Sequence, residues 1–216
     1  MPHIKQPPHQ FMVIEGNIGA GKTTLAQKLA HEYALQLVLE QFETNPFLPK
    51  FYENPTRYTF HAEAHFLLDR HRQVKDWITL HHQQQHATVS DYMFDKSLVF
   101  AEANLPPDEF ELYERLFRAL FDELPQPDLL VYLHAPVEKL LQHIKQRGRN
   151  YEQSMSPDYL LQIQKTYLQH LQQHRQLPIL LIHTQQLDYV NRPDHYQSLL
   201  QWIGQKYPCG ITEIEF

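Results

Sequence analysis

Short apolar runs alternate along this chain with longer stretches in which apolar residues recur at threes and fours. That alternation predicts a parallel α/β architecture. The predicted strands are FMVI (11–14), LQLVL (35–39), ATVS (87–90), DLLVYLH (128–134) and PILLIH (178–183). Between the second and third, the stretch from Glu53 to His86 sets Phe60, Phe66, Leu67 and Trp77 among polar residues, the pattern of one long helix with an apolar face. Phe110, Tyr113, Leu116, Phe117, Leu120 and Phe121 give a second helix, punctuated by Pro107 and Pro125, with its aromatics in the core. The run HHQQQH (81–86) reads as a solvated helix end rather than a metal site, because it comes with no charged or sulfur ligand. The terminal QKYPCGITEIEF fits an added edge strand or a mobile tail equally well.

Composition narrows the function. A length of 216 residues suits one domain spanning 1–216, with the first ten residues expected to be flexible. Twenty-five acidic against nineteen basic residues give a formal charge of −6, the wrong sign for a protein that neutralises a nucleic-acid backbone. The lone Cys209 allows no intrachain disulfide and suits a reducing compartment. No apolar run approaches the roughly 20 residues of a membrane span, and the opening MPHIKQPPHQ lacks a signal-peptide core, so a cytoplasmic location is expected.

The chemistry begins after the first strand. Gly16, Gly21, Lys22 and Thr23 fit G-x-x-x-x-G-K-[ST] with a strand before and a helix after. Such a loop, here Gly16, Asn17, Ile18, Gly19, Ala20, Gly21, Lys22, Thr23 and Thr24, turns successive N–H groups and a positive helix end toward phosphates. Lys22 would reach the β and γ phosphates, and the Thr23 hydroxyl would ligate Mg²⁺. The loop therefore specifies a nucleoside triphosphate, not what is done with it, since switches, motors and kinases share it.

Ligands of parallel sheets gather beyond the carboxyl ends of the strands, so the residues there decide. Glu40 after the second strand can take a proton from a hydroxyl, Asp91 after the third can hold Mg²⁺, and Arg147 and Arg149 in QRGRNYEQ can stabilise a moving phosphoryl group. Each has a plainer reading, as a helix cap, a turn residue and a solvated loop. Together, on one edge of a sheet that holds a triphosphate, they favour a kinase.

At these residues the chain resembles the deoxynucleoside kinase family. The likeness spans nearly the whole length, in EGNIGAGKTT, NPFLPKFYENPTRYTF and PDLLVYLHAPVEKLLQHIKQRGRNYEQ, in family order and spacing. It implies a P-loop kinase fold with a five-stranded parallel sheet flanked by helices, a small arginine-bearing lid and a homodimer. It also implies transfer of the γ phosphate of ATP, with Mg²⁺, to the 5′-hydroxyl of a deoxynucleoside. By resemblance Glu40 accepts the 5′-hydroxyl proton, although its usual Pro neighbour is Gln41 here. Tyr52 and Glu152 hold the 3′-hydroxyl, and Arg147 and Arg149 embrace the donor phosphates.

Two departures stand out. The family's helical phenylalanine followed three residues later by a base-reading glutamine appears as FHAEAHFLLDR, with Glu63 in the glutamine's place. An ionised glutamate only accepts, so it suits an edge with two adjacent donors, as in guanine or a pterin. Adenine or cytosine would face it with an unpaired acceptor, at a cost of about 1 to 3 kcal/mol. Arg70, which matches a base-contacting arginine of some members, could donate to guanine O6 or N7. A protonated or solvent-facing Glu63 would remove the preference. The second departure is VSDYMF, where the family places an acid, an arginine and a serine; no arginine occurs between Arg72 and Arg115. Asp91 stands at the place of either the acid or the arginine, and the acid is the better match because a carboxylate ending this strand suits Mg²⁺; Lys96 or the lid arginines are the candidates to replace the missing charge. Three readings follow: an active, purine-favouring deoxynucleoside kinase; a kinase-fold protein without turnover, used for nucleotide binding or assembly; and a kinase for another small purine-like hydroxyl compound.

Overall fold

The computed structural model describes residues 7–84, 86–121 and 126–216. Six strands, β1 (Phe11–Gly16), β2 (Gln36–Val38), β3 (Thr88–Ser90), β4 (Leu129–His134), β5 (Pro178–His183) and β6 (Gly210–Ile214), form one sheet in the order β2-β3-β1-β4-β5-β6. Every neighbouring pair is parallel. The five strands read from the sequence are all present. The sixth corrects the expected count: the C-terminal stretch pairs with β5 from Pro178↔Gly210 to Ile182↔Ile214.

The helices are α1 (Lys22–Tyr33), α2 (Leu48–Glu53), α3 (Pro55–Gln84), α4 (Lys96–Asn104), α5 (Pro107–Leu120), α6 (Val137–Arg147), α7 (Pro157–Leu171) and α8 (Pro193–Ile203). The long helix thus begins at Pro55, where proline suits a first turn and the chain breaks from α2 at Asn54. The second expected helix closes at Leu120, with Phe121 already extended. Pro125, Gln85 and residues 1–6 lie outside the described residues, as does most of the HHQQQH side-chain run, so the readings of that run and of the first six positions are not addressed by the fold.

Strand alternation divides the core into two layers. Met12, Ile14, Leu129, Val131, Leu133, Leu180 and Ile182 face one side with α1, α6 and α8, while Phe11, Val13, Leu130, Tyr132, Ile179 and Leu181 face the other with α3, α4, α5 and α7. β1 lies between β3 and β4, so the chain winds to both sides of it, and the switch point that favours ligands falls at the loop after β1. No helix among the described residues is long and apolar enough to cross a membrane.

Candidate active site

The phosphate loop leaves β1 at Gly16 and enters α1 through Gly21, whose φ of 96° is left-handed. A Cβ there would lie 2.3 Å from the Tyr189 hydroxyl, which itself donates to Gly21 O at 2.9 Å, so glycine is required on both counts. Asn17 pins the loop to α7 by donating to Leu160 O at 2.8 Å. Lys22 curls over the loop, its Nζ donating to Gly16 O at 2.8 Å and Asn17 O at 3.0 Å. Burial and the nearby Lys96 ammonium lower Lys22 to about 8, against the pull of Glu15, Glu40 and Asp91.

Behind the loop, Thr23 Oγ1 donates to Asp91 Oδ2 at 2.5 Å, and Asp91 Oδ1 accepts the Glu40 N–H at 2.8 Å. One carboxylate therefore joins the ends of β2 and β3 to the start of α1. Glu40 is the electrostatic centre of the site. Its Oε1 accepts from Arg70 through Nε at 3.1 Å and through Nη2, and its Oε2 accepts from Lys96 Nζ at 2.6 Å. Burial alone would raise the Glu40 carboxyl, but Lys96 and Arg70 hold it far below the carboxylate range, so it is ionised at every working pH.

Lys96, 5% exposed, reaches Glu40 from the first residue of α4, so a buried cation stands beside Glu40 although VSDYMF lacks the arginine. The same face of α4 continues inward. Ser97 Oγ accepts from Arg70 Nη1 at 2.6 Å, Phe100 lines the cavity and Asn104 Nδ2 donates to Glu63 Oε1 at 3.0 Å. Opposite, Glu63, Phe66 and Arg70 recur at threes and fours on α3 and line the same cavity. Glu63 is 5% exposed, and its Oε2 has no hydrogen-bond partner. Burial pushes it up to about 7 against the opposing pull of Arg70 and Asn104. Arg70 carries three of its contacts to Glu40 and Ser97, which leaves two N–H groups for anything beyond.

The lid follows α6. Gly148, left-handed at φ 74°, ends that helix, and the next turn, Asn150–Glu152, brings Glu152 between two arginines. Arg147 donates to Glu152 Oε2 and Arg149 donates to Oε1 at 3.2 Å, while the Arg149 guanidinium sits 3.6 Å over the Phe42 ring. Tyr52 of α2 stacks on Tyr151 of this turn at 5.6 Å.

Two cavities result. One is lined by Glu40, Phe51, Tyr52, Glu63, Phe66, Arg70, Lys96, Phe100 and Glu152, and the other runs between α6 and the loop Thr184–Asn191. Gly19, Lys22, Thr23, Phe42, Arg147 and Arg149 line both. Every catalytic, metal and substrate residue read from the sequence lines the first cavity. Sequence reading missed Ser97, Asn104 and Phe42, which act through neighbours from other elements and carry no motif. It also passed over Glu15, buried at the end of β1, which accepts from Met93 N at 2.7 Å and from the Tyr167 hydroxyl at 3.0 Å. Its signal was an acid inside an otherwise apolar strand.

The chain matches the deoxynucleoside kinase family over residues 12–207. It is 35% identical over 199 residues to a deoxyguanosine kinase of Bacillus subtilis, covering 90% of this chain and 96% of that one. It is 31% identical over 211 residues to a deoxyadenosine kinase of Lactobacillus acidophilus, covering 91% and 96%. Among solved structures, deoxyadenosine kinase from M. mycoides with bound dATP superposes with a TM-score of 0.78 over 91% of this chain and all of that one, at 19% identity. The architecture is that of P-loop nucleoside kinases, with helices on both faces of a parallel sheet.

Proposed function

The chain belongs to the deoxynucleoside kinase family, and on that premise we propose that it transfers the γ-phosphoryl group of ATP to the 5′-hydroxyl of a deoxynucleoside with a guanine-like base. The observation that carries this reading is the meeting of two cavities at Lys22, Thr23, Arg147 and Arg149, with Glu40 on the acceptor side of the junction. The γ phosphate of the donor and the hydroxyl of the acceptor would meet there.

In the reaction the O5′–Pγ bond forms as the bond from Pγ to the β-bridging oxygen breaks, and the hydroxyl proton passes to Glu40. A strongly depressed carboxyl is a weak base, but a loose phosphoryl-transfer transition state needs little early deprotonation of the nucleophile. Glu40 then serves first to orient the hydroxyl and last to take its proton. Oε2 accepts one hydrogen bond, from Lys96, and keeps a lone pair for the hydroxyl, while the Lys96 ammonium would also attract the phosphoryl oxygens, where the family's missing arginine would act. Lys22 exchanges the Gly16 and Asn17 carbonyls for phosphate oxygens.

The Thr23 hydroxyl and Asp91 carboxylate, already 2.5 Å apart, form an all-oxygen donor set that suits Mg²⁺, which would neutralise charge on the β and γ phosphates. Glu152 and Tyr52, which line the acceptor cavity, would hold the 3′-hydroxyl, and Glu63, with one oxygen unpartnered, would read the base together with Arg70. The reading extends to a cytoplasmic homodimer. The exposed, unpaired Cys209 suits a reducing compartment, and apolar residues exposed on α3 and α5 offer a dimer face.

The test is a phosphoryl-transfer assay with ATP and Mg²⁺ against the four deoxynucleosides, the ribonucleosides and a hydroxymethyl pterin. Deoxyguanosine turnover is expected, lowered at least about a hundredfold in Glu40→Gln and by about a hundredfold to a thousandfold in Lys96→Met. ATP binding without turnover of any acceptor would overturn the reading in favour of a binding role.

A further inference from the structure

Away from both cavities, among the described residues, one place gathers three metal-ligating side chains. Asp95, just before α4, meets His170 and His174 at the end of α7, with one ligand atom from each all within 4.8 Å of one another. We propose that Asp95, His170 and His174 bind one divalent ion of the Zn²⁺ class, at a site separate from the Mg²⁺ position at Thr23 and Asp91.

Sequence and geometry both build the site. The stretch HLQQH sets His170 in the last turn of α7 and His174 three residues past its end, where turns closed by Gln173 N–H to His170 O at 3.0 Å and His174 N–H to Leu171 O at 3.2 Å bring both imidazoles to one carboxylate. His170 Nε2 lies 3.2 Å and His174 Nε2 3.1 Å from the same oxygen, Asp95 Oδ2. Ligands about 2.05 Å from a tetrahedral ion stand roughly 3.3 Å apart, so these two separations match an edge of that polyhedron, while the third, between the imidazoles, lies within 4.8 Å and would close on binding.

Hydrogen bonding alone accounts for the cluster poorly. His170 Nε2 hydrogen-bonds Asp95 Oδ2 at 3.2 Å, and His174 Nε2, although 3.1 Å from the same oxygen, is not oriented to hydrogen-bond it. A buried imidazole nitrogen left in that state is costly unless its lone pair is used, and a shared cation uses the lone pairs of both rings. Two nitrogens and one carboxylate oxygen favour Zn²⁺ over Mg²⁺, which prefers oxygen and keeps its waters. The histidine side chains keep 13% and 21% exposure, a narrow opening through which a water could serve as fourth ligand.

The ion would fasten the end of α7 to the start of α4, one residue from Lys96. Binding itself does not depend on the kinase reading; a benefit to Lys96 positioning does.

The experiment uses the full chain stripped with EDTA. Zn²⁺ affinity is measured by competition with a chromophoric chelator, Co²⁺ coordination by its visible absorption, and thermal unfolding with and without Zn²⁺. One equivalent is expected to bind, with intense tetrahedral Co²⁺ bands, no competition from Mg²⁺, and a Tm rise of about 5 °C or more at a hundredfold excess over Kd. His170→Gln and His174→Gln should each weaken binding at least about tenfold and lose the Tm rise. His81→Ala/His82→Ala should keep both. Unchanged tight binding in His174→Gln, its loss in His81→Ala/His82→Ala, or no binding at micromolar Zn²⁺ would each overturn the proposal. Should His174→Gln fail to fold in EDTA, Asp95→Asn gives the same reading.

Discussion

At the scale of single residues, Glu63 carries two consequences of one protonation equilibrium. Its usual value is 4.5, and burial pushes it up to about 7 in the folded chain. Between those values the unfolded chain releases the proton while the folded chain keeps it, so the residue's contribution to stability falls as pH rises and is fully lost above about 7. The shift sets an upper bound of about 3 kcal/mol. Glu63→Gln removes that dependence. Urea unfolding at pH 5 and pH 8 should show the glutamine variant gaining on the native chain by up to that amount at the higher pH, and a pH-independent difference would mean that Glu63 ionises normally. The same equilibrium bears on the base. Ionised, Glu63 offers acceptors to the paired donors of guanine; protonated, it imitates glutamine and tolerates adenine. The ratio of deoxyguanosine to deoxyadenosine kcat/KM should therefore climb as pH passes 7 in the native chain and stay flat in Glu63→Gln. Glutamate at this position was legible in the sequence, but its protonation state was not, because that depends on Asn104 and on burial supplied by α4.

At the scale of elements, the phosphate loop and α4 position the chemistry. The loop's Gly21 yields a prediction that separates backbone strain from a clash. Gly21→Ala meets a left-handed φ and also a Cβ 2.3 Å from the Tyr189 hydroxyl, whereas the next atom of that ring is 3.5 Å away. It should abolish measurable ATP binding, and Gly21→Ala/Tyr189→Phe should restore part of it by removing the clash while the strain of about 1 kcal/mol remains. Equal affinities in the single and double variants would mean that strain alone governs the loop. Inner strands and the loop were readable because runs such as FMVI and ILLI are apolar throughout, as doubly covered strands must be. β6 left two readings open because GITEI alternates and is mostly only half-buried, the character of an edge strand that takes its conformation from its neighbour β5. On the face of α4 that holds Glu40, Arg70 and Glu63, Lys96 was legible as a replacement for the missing charge, but Ser97 and Asn104 were not. Ser97 is buried and Asn104 half-buried against other elements, and periodicity records apolar positions only.

At the scale of the whole molecule, α5 has one face more than its own chain uses. Tyr113 and Phe117 enter the core, but Leu112 and Leu116, four residues apart, are 47% and 39% exposed, and Leu68 on the adjoining α3 is 60% exposed. Apolar side chains exposed on two packed helices are a cost to a monomer and a gain to a dimer that buries them. The expected species is accordingly twice 25.8 kDa, converted by Leu112→Glu/Leu116→Glu to 25.8 kDa in light scattering after size exclusion. The inner face of α5 makes the association consequential, because the Tyr113 hydroxyl donates to the backbone carbonyl of Glu63 at 3.1 Å. A partner pressed on the outer face would therefore steady the turn of α3 that faces the base, while the phosphate loop, on the far side of Glu40, would be indifferent. Dissociation should raise the KM for the deoxynucleoside several-fold and leave the KM for ATP unchanged. A native chain already at 25.8 kDa would remove the dimer, and a dissociated variant with both KM values intact would keep the dimer but remove its link to the acceptor pocket.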